Sequence, residues 1–176
     1  MANDNIEKLR GALRDVPDFP KPGIIFKDIT TILASGELFK CAIDTFLEAN
    51  AGRKIDKIVG IDARGFIFGA AVAYQLGIGF IPVRKKGKLP YKTESMAYTL
   101  EYGEAVIEMH IDGVTKGEKV VLIDDLLATG GTAAAAAKLI EKMGGELLEA
   151  QFLIELGFLN GRDKLGSYPV RSFLKF

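Results

Sequence analysis

The sequence lacks the features that would place it on a membrane or in an oxidising compartment. Its 176 residues include a single cysteine, Cys41, so no intramolecular disulfide can form. No apolar run reaches the roughly 18 residues that a membrane-spanning helix needs, and the first residues show neither the basic nor the apolar region of a secretory signal peptide. We therefore expect a cytoplasmic protein with no membrane partner.

The sequence also lacks net charge and the common phosphate-binding motifs. Its 23 basic residues are balanced by 23 acidic ones, which argues against a protein that holds nucleic acid through bulk positive charge. A small cluster of cations that binds a phosphorylated metabolite is still compatible with this balance. Neither a P-loop, GxxxxGK followed by Ser or Thr, nor a GxGxxG dinucleotide fingerprint occurs.

What is present is an alternation of apolar strands and helices. Hydrophobic residues make up 48% of the chain, enough for one compact core. The predicted strands lie at residues 57–61, 80–83, 120–123 and 147–156, and the main predicted helices at 37–49, 65–76 and 132–143. Because near-continuous apolar strands between helices are typical of parallel sheets covered on both faces, we predict a single α/β domain over residues 1–176.

Two segments interrupt this alternation. Residues 84–98 are polar, basic and without period, which predicts a long mobile loop of the kind that often forms a lid or a binding loop. Residues 105–112 alternate between apolar and polar side chains, which predicts a half-exposed antiparallel strand. The only histidine, His110, lies on the polar face of that strand, and we expect it to face solvent.

The stretch at residues 120–132 contains the clearest chemical pattern. A buried strand ends in two adjacent carboxylates, Asp124 and Asp125, at the strand end where ligands bind in open α/β sheets. Gly130 and Gly131 follow and allow close backbone approach before an alanine-rich helix. Amides at the helix start, with the neighbouring threonine hydroxyls, form a cup for a phosphate. The two carboxylates suit the vicinal hydroxyls of a ribose.

This stretch resembles the phosphoribosyl-pyrophosphate signature of the type I phosphoribosyltransferases. Four further blocks in the expected order narrow the resemblance to the adenine phosphoribosyltransferases; they lie at residues 19–29, 62–66, 84–90 and 100–103. Family members specific for 6-oxopurines usually carry an acid where Ala128 stands, so the alanine favours adenine. The resemblance also implies a non-proline cis peptide bond at Asp62-Ala63.

The resemblance implies a fold and a reaction. The fold is a mostly parallel central sheet flanked by helices, with a hood over the base site at residues 1–33, a core at 34–176 and a flexible catalytic loop. The reaction is purine salvage: adenine and phosphoribosyl pyrophosphate give AMP and pyrophosphate through an oxocarbenium-like displacement at ribose C1. Mg²⁺ is implied as the cofactor, held by substrate oxygens and water rather than directly by the protein. The implied assembly is a homodimer.

The resemblance also assigns site residues. The implied adenine ligands are Ile25, Phe26, Lys27 and Leu126, and the implied pyrophosphate ligands are Ala63, Arg64 and Lys88. The implied ribose ligands are Asp124 and Asp125, and the implied 5′-phosphate ligands are Ala128, Thr129, Gly130, Gly131 and Thr132. Glu101 is the candidate catalytic side chain, because Ala128 leaves N7 of the purine without an acidic partner.

Simpler interpretations stay open for some of these residues. Arg64 is also compatible with an ordinary surface ion pair, Lys88 with a solvated run of charge, Phe26 with a hood core and Glu101 with an exposed strand start. At the level of function, the alternatives are a transferase for hypoxanthine, guanine or xanthine, a regulator that binds phosphoribosyl pyrophosphate without catalysis, and a nucleotide-binding module.

Overall fold

The computed structural model describes residues 2–19, 21–99 and 103–176. The chain divides into two compact units, Met1–Ala51 and Gly52–Phe176. Each unit has its own secondary structure and is described separately below. The predicted arrangement of one domain with a hood over residues 1–33 stays a prediction.

The first unit combines three helices with a two-stranded sheet. Its elements are α1 (Ala2–Ala12), β1 (Arg14–Pro17), β2 (Ile25–Asp28), α2 (Thr30–Leu33) and α3 (Gly36–Asn50). β1 pairs antiparallel with β2, and Val16 lies opposite Phe26. α3 begins after Ser35, whose hydroxyl oxygen accepts the N–H of Leu38 at 3.3 Å and so satisfies one of the unpaired donors at the helix start. α3 packs against α1 and α2.

The second unit is built on one large sheet. Within the described residues its strands are β3 (Lys57–Ile61), β4 (Gly79–Lys85), β5 (Thr93–Thr99), β6 (Glu104–His110), β7 (Lys119–Leu127), β8 (Glu146–Glu155) and β9 (Val170–Lys175). The spatial order is β5-β6-β4-β3-β7-β8-β9. β4, β3, β7, β8 and β9 pair in parallel, whereas β6 pairs antiparallel with both β4 and β5. This mostly parallel sheet confirms the predicted fold class.

The helices of this unit follow the strands that form its centre. They are α4 (Arg64–Leu76), α5 (Gly131–Lys142) and the short α6 (Gly161–Leu165), with a 3₁₀ turn at Gly157–Leu159 before α6. α4 packs on β3 and β7, and α5 packs on β5 and β8. The alanines at 133–137 are all buried, and their small side chains allow α5 to approach the sheet closely. In the described part of the chain, no helix has the length and apolar character of a membrane span.

The prediction of an irregular loop over residues 84–98 is wrong for most of its length. β4 continues to Lys85, and β5 occupies Thr93–Thr99, so only residues 86–92 lie between the strands. Apolar periodicity alone does not identify β5, because four of its seven residues are polar. The strand is ordered by pairing along its whole length with β6, from Thr93 opposite His110 to Thr99 opposite Glu104. Whether residues 86–92 move stays a prediction.

Candidate active site

A cavity of about 370 Å³ opens at the carboxyl edge of the parallel sheet. It is lined by residues 61–64, where β3 passes into α4, and by residues 124–133, where β7 passes into α5. Because β3 and β7 are neighbouring parallel strands, their carboxyl ends deliver both connections to the same place. The volume is in the range of a small-molecule site.

The two predicted carboxylates lie in the wall of this cavity. Asp125 is only 4% exposed, and its Oδ2 accepts from Nε of Arg64 at 2.8 Å. Asp124 is partly buried, and its Oδ1 accepts the N–H of Asp125 at 2.9 Å. The structure therefore brings Arg64 next to two adjacent carboxylates that follow it about sixty positions later in the sequence.

Removal from water dominates the electrostatics of this pair. Burial raises the pKa of Asp124 well above its ordinary value, and the charge of Asp125 raises it further. Burial also raises the pKa of Asp125, although Arg64 opposes the shift. Both carboxylates line the cavity, so hydroxyl groups of a ligand bound there can donate hydrogen bonds to their oxygens.

The connection from β3 to α4 forms the opposite wall. The peptide bond between Asp62 and Ala63 is cis, which confirms the expectation from the family resemblance. α4 begins next to β7 because residue 65 is glycine: a Cβ there would lie 2.8 Å from Oδ1 of Asp124. The Asp62 carboxylate accepts from Nε of Arg84 at 2.8 Å, which ties this connection to the end of β4.

The connection from β7 to α5 has the geometry of an anion site. Gly130 adopts a φ of +78° at the start of α5, and no side chain within the described residues caps this helix start. The backbone amides there are therefore available to a bound anion. Thr132 follows in the first turn, and its Oγ1 donates to the hydroxyl oxygen of Tyr98 in β5 at 3.0 Å.

The short helix α6 packs against the connection from β7 to α5, a contact that the sequence analysis did not predict. A Cβ on Gly130 would collide with the carbonyl oxygen of Gly161, and a Cβ on Gly161 would collide with the carbonyl oxygen of Ala128. α6 therefore lies directly against the backbone of the loop. Arg162 anchors α6 by donating from Nη2 to Oε2 of Glu155 at 2.8 Å, and the same pairing lowers the pKa of Glu155 to about 2.

Of the other predicted site residues in the second unit, Leu126 lines the cavity. Lys88 is an exposed residue between β4 and β5, and its carbonyl oxygen accepts from Nη1 of Arg84 at 3.1 Å. Ile25, Phe26 and Lys27 belong to β2 of the first unit. Phe26 contacts Phe19 edge to face at 5.3 Å between ring centroids, and Nζ of Lys27 pairs with Asp15 at 2.6 Å.

Two predictions, the catalytic role of Glu101 and the binding of Mg²⁺, are not tested by the structure. Glu101 lies outside the described residues. Among the residues that are described, no three His, Cys, Asp or Glu side chains are grouped so that they could hold a metal ion. The roles of Glu101 and of Mg²⁺ stay predictions.

Comparison of the sequence with known proteins identifies the family to which this chain belongs. Residues 28–167 match the family model described as a phosphoribosyl transferase domain. The adenine phosphoribosyltransferase of Mesorhizobium japonicum is 55% identical over 172 residues, which cover 97% of this chain and 95% of that protein. The chain belongs to the adenine phosphoribosyltransferase family.

Solved structures of other family members have the same fold. The adenine phosphoribosyltransferase from Thermoanaerobacter pseudethanolicus superposes with a TM-score of 0.94 at 51% identity, over 97% of this chain and 99% of that one. The enzyme from Saccharomyces cerevisiae, solved with adenine and an imino-altritol bisphosphate, gives a TM-score of 0.94 at 43% identity, over 98% of this chain and 99% of that one.

Proposed function

We propose that this chain transfers the phosphoribosyl group of phosphoribosyl pyrophosphate to adenine in the cavity described above. The bond between ribose C1 and the pyrophosphate oxygen breaks and a bond from C1 to N9 of adenine forms. The imidazole proton of adenine passes to the leaving pyrophosphate or to water, and AMP and pyrophosphate leave. The observation that supports this most strongly is the junction of β7 and α5, where two adjacent carboxylates in the cavity wall precede a helix start without a side-chain cap among the described residues. Family membership supports adenine as the acceptor.

The 5′-phosphate and the ribose are assigned to this junction. Residues 128–132 offer amides at the positive end of the α5 dipole and the hydroxyls of Thr129 and Thr132. Asp124 and Asp125 accept hydrogen bonds from the two ribose hydroxyls, which replaces the water that folding removed from them. A phosphate site and a carboxylate pair in the wall of one cavity are the two features that a ribose 5-phosphate unit requires.

The pyrophosphate is assigned to the connection between β3 and α4. Ala63 offers a backbone amide at the cavity wall, and Arg64 offers a guanidinium that Asp125 holds in a fixed orientation. Planar guanidinium groups suit phosphate oxygens. Lys88 supplies a further positive charge from the segment between β4 and β5. When bound, Mg²⁺ would neutralise the leaving pyrophosphate, held by substrate oxygens and water as the family resemblance implies.

The proposed adenine ligands in the first unit are the backbone groups of Ile25 and Lys27 and the ring of Phe26. Alternate residues of an antiparallel strand direct their backbone groups to the same side, so Ile25 and Lys27 present the same edge of β2. Such an edge distinguishes a 6-amino from a 6-oxo purine by its pattern of donors and acceptors, and an aromatic ring provides a face for stacking. Leu126 is the proposed apolar contact in the second unit.

The remaining proposals concern catalysis and assembly. Glu101 acts as the acid–base partner of N7 of the purine, because no other acidic side chain of the family blocks is assigned to N7. The chain works as a homodimer in the cytoplasm. These roles follow the family resemblance, and a variant of Glu101 tests the first of them in the Discussion.

A base panel tests the proposed function. The protein is incubated with Mg²⁺, phosphoribosyl pyrophosphate and adenine, hypoxanthine or guanine, and the nucleotides are separated and quantified. We expect AMP from adenine and much less nucleotide from the other two bases, and we expect Asp125→Asn to lose most of this activity at sub-saturating phosphoribosyl pyrophosphate. Preference for hypoxanthine or guanine would overturn the assignment of the base, and an unaffected Asp125→Asn would overturn the assignment of the cavity.

A further inference from the structure

β6 carries a buried carboxylate that the proposed reaction does not use. Glu108 is only 4% exposed, although the alternating sequence of this strand predicts that it faces solvent. A carboxylate is rarely buried unless hydrogen bonds compensate it. The partners of Glu108 therefore indicate why the residue is there.

Within the described residues, the hydrogen bonds of the Glu108 carboxylate go to one connection, residues 86–92 and the first residue of β5. We call residues 86–92 the β4–β5 loop. Oε1 of Glu108 accepts the backbone N–H groups of Gly87 at 3.0 Å and of Leu89 at 3.2 Å. Oε2 accepts the hydroxyl of Thr93 at 3.3 Å. The two backbone donors flank Lys88, so the carboxylate fixes the loop on both sides of that residue.

A second side chain on the same face of β6 contacts the same loop. His110 lies two positions after Glu108, and alternate residues of a strand project to one face. Nε2 of His110 accepts the N–H of Tyr91 at 3.4 Å, and the two rings meet edge to face with centroids 6.1 Å apart. The polar face of β6 is thus the surface on which the loop rests, rather than a solvated face.

The β4–β5 loop is also connected to the candidate active site through Arg84. Arg84 lies directly opposite Glu108 in the pairing of β4 with β6. Its Nη1 donates to the carbonyl oxygen of Lys88 at 3.1 Å, and its Nε donates to Oδ2 of Asp62 at 2.8 Å. Asp62 lines the cavity. A displacement of the loop therefore alters the partners of Arg84 and, through them, the wall next to Ala63.

We propose that Glu108 is a positioning residue for pyrophosphate: it holds the β4–β5 loop, and with it Lys88 and the Arg84–Asp62 pair, in the arrangement that binds the leaving group. The inference rests on the proposed function. A loop that is already ordered does not have to lose its conformational freedom when the substrate binds, so preorganisation strengthens binding. The donors to Glu108 described above all lie in or next to the β4–β5 loop, so binding of adenine and AMP should not depend on it.

The test compares Glu108→Met with Glu149→Met. Met approximates the volume of Glu and accepts no strong hydrogen bond. Glu149 is a matched control, because it is also a buried carboxylate of the sheet but pairs with Arg53 and Arg171. KM is measured for phosphoribosyl pyrophosphate and adenine in the forward direction and for pyrophosphate and AMP in the reverse direction.

We expect Glu108→Met to raise KM for phosphoribosyl pyrophosphate and for pyrophosphate at least tenfold, with less than twofold change for adenine and AMP. Glu108→Gln, which keeps one oxygen to accept both amides, should recover most of the loss. In a double mutant with Lys88→Ala, the two effects should be less than additive, because both act through the same loop. Glu149→Met should leave all four KM values within twofold of the wild type.

Unchanged KM values for both pyrophosphate-bearing substrates in Glu108→Met, or the same rise in Glu149→Met, would overturn the proposal. Should Glu108→Met fail to fold, Thr93→Val decides, because it removes only one hydroxyl contact to Glu108. We expect a two- to threefold rise in the same two KM values, and wild-type values would overturn the proposal. A wild-type protein that makes no AMP from adenine would instead contradict the proposed function, so the two failures are distinguishable.

Discussion

Replacing Asp124 by Asn should stabilise the ligand-free protein while weakening its use of phosphoribosyl pyrophosphate. Burial and the neighbouring Asp125 raise the pKa of Asp124 well above its ordinary value of 3.8, so the folded protein disfavours the ionised form. Asn keeps an oxygen that can accept the N–H of Asp125 and carries no charge. The substitution removes the electrostatic cost and also removes a charged acceptor for ribose.

The sign of the stability change depends on pH. A group whose pKa is raised on folding binds protons more tightly in the folded state, so its ionisation destabilises the fold. This cost is absent well below the ordinary pKa of 3.8, grows as pH rises above it, and is complete above the pKa that Asp124 has in the folded protein. The advantage of Asp124→Asn should therefore be larger at pH 8 than at pH 5.

The expected changes in stability and in substrate binding have opposite signs. One charged hydrogen bond is worth about 1.5–3 kcal/mol, so its loss should raise KM for phosphoribosyl pyrophosphate roughly 10- to 150-fold. For a chain of this length, each 1 kcal/mol gained in folding free energy raises Tm by about 2–4 °C. A stabilised protein with weakened substrate use is the signature of a carboxylate retained for binding rather than for folding.

Thermal unfolding of the ligand-free protein at both pH values, together with KM for both substrates, measures these changes. Glu155→Gln is the matched control, because hydrogen bonds from Arg162 lower the pKa of Glu155 to about 2. A lowered pKa contributes stability above the ordinary value of 4.5, and this stability is lost as pH falls toward 2. Glu155→Gln should therefore lower Tm at pH 8. An Asp124→Asn protein with lowered Tm at pH 8 and unchanged KM for phosphoribosyl pyrophosphate would refute the argument.

Substitutions at three further positions test other parts of the site. Gly161→Ala places a methyl group against the carbonyl oxygen of Ala128, so KM for phosphoribosyl pyrophosphate should rise about tenfold or more in steady-state assays; an unchanged value would show that the loop tolerates the shift. Thr132→Ala removes a phosphate donor worth about 1.5–3 kcal/mol and should raise the same KM; a change in the adenine KM alone would contradict the assignment. Glu101→Gln and Glu101→Leu should lower kcat by about 10²–10⁴-fold with far less change in adenine KM, whereas near-normal turnover would remove Glu101 from the mechanism.

The junction of β7 and α5 is predictable from the sequence because its signals are local. An apolar run sets the strand, adjacent carboxylates mark its end, and glycines before an alanine-rich segment mark the helix start. Each signal depends on residues within about ten positions of one another. The parallel order of the central strands follows from the same alternation of apolar strands with helices.

The parts that sequence analysis missed depend on contacts between distant segments. β5 is ordered by pairing with β6, and nothing in its composition indicates that partner. Glu108 lies on the polar side of an alternating strand, which predicts exposure until the loop that covers it is known. The close approach of Gly161 to Gly130 joins residues thirty-one positions apart, and neither glycine alone indicates the other. Such contacts require either a structure or covarying sequences.

A crystal structure of the protein with AMP bound is the most direct test of the proposed site. We expect the phosphate to accept hydrogen bonds from backbone amides at the start of α5 and from the hydroxyl of Thr132, and the ribose hydroxyls to donate to Asp124 and Asp125. AMP bound outside the cavity between residues 61–64 and 124–133, or bound there with its phosphate away from the start of α5, would contradict the account.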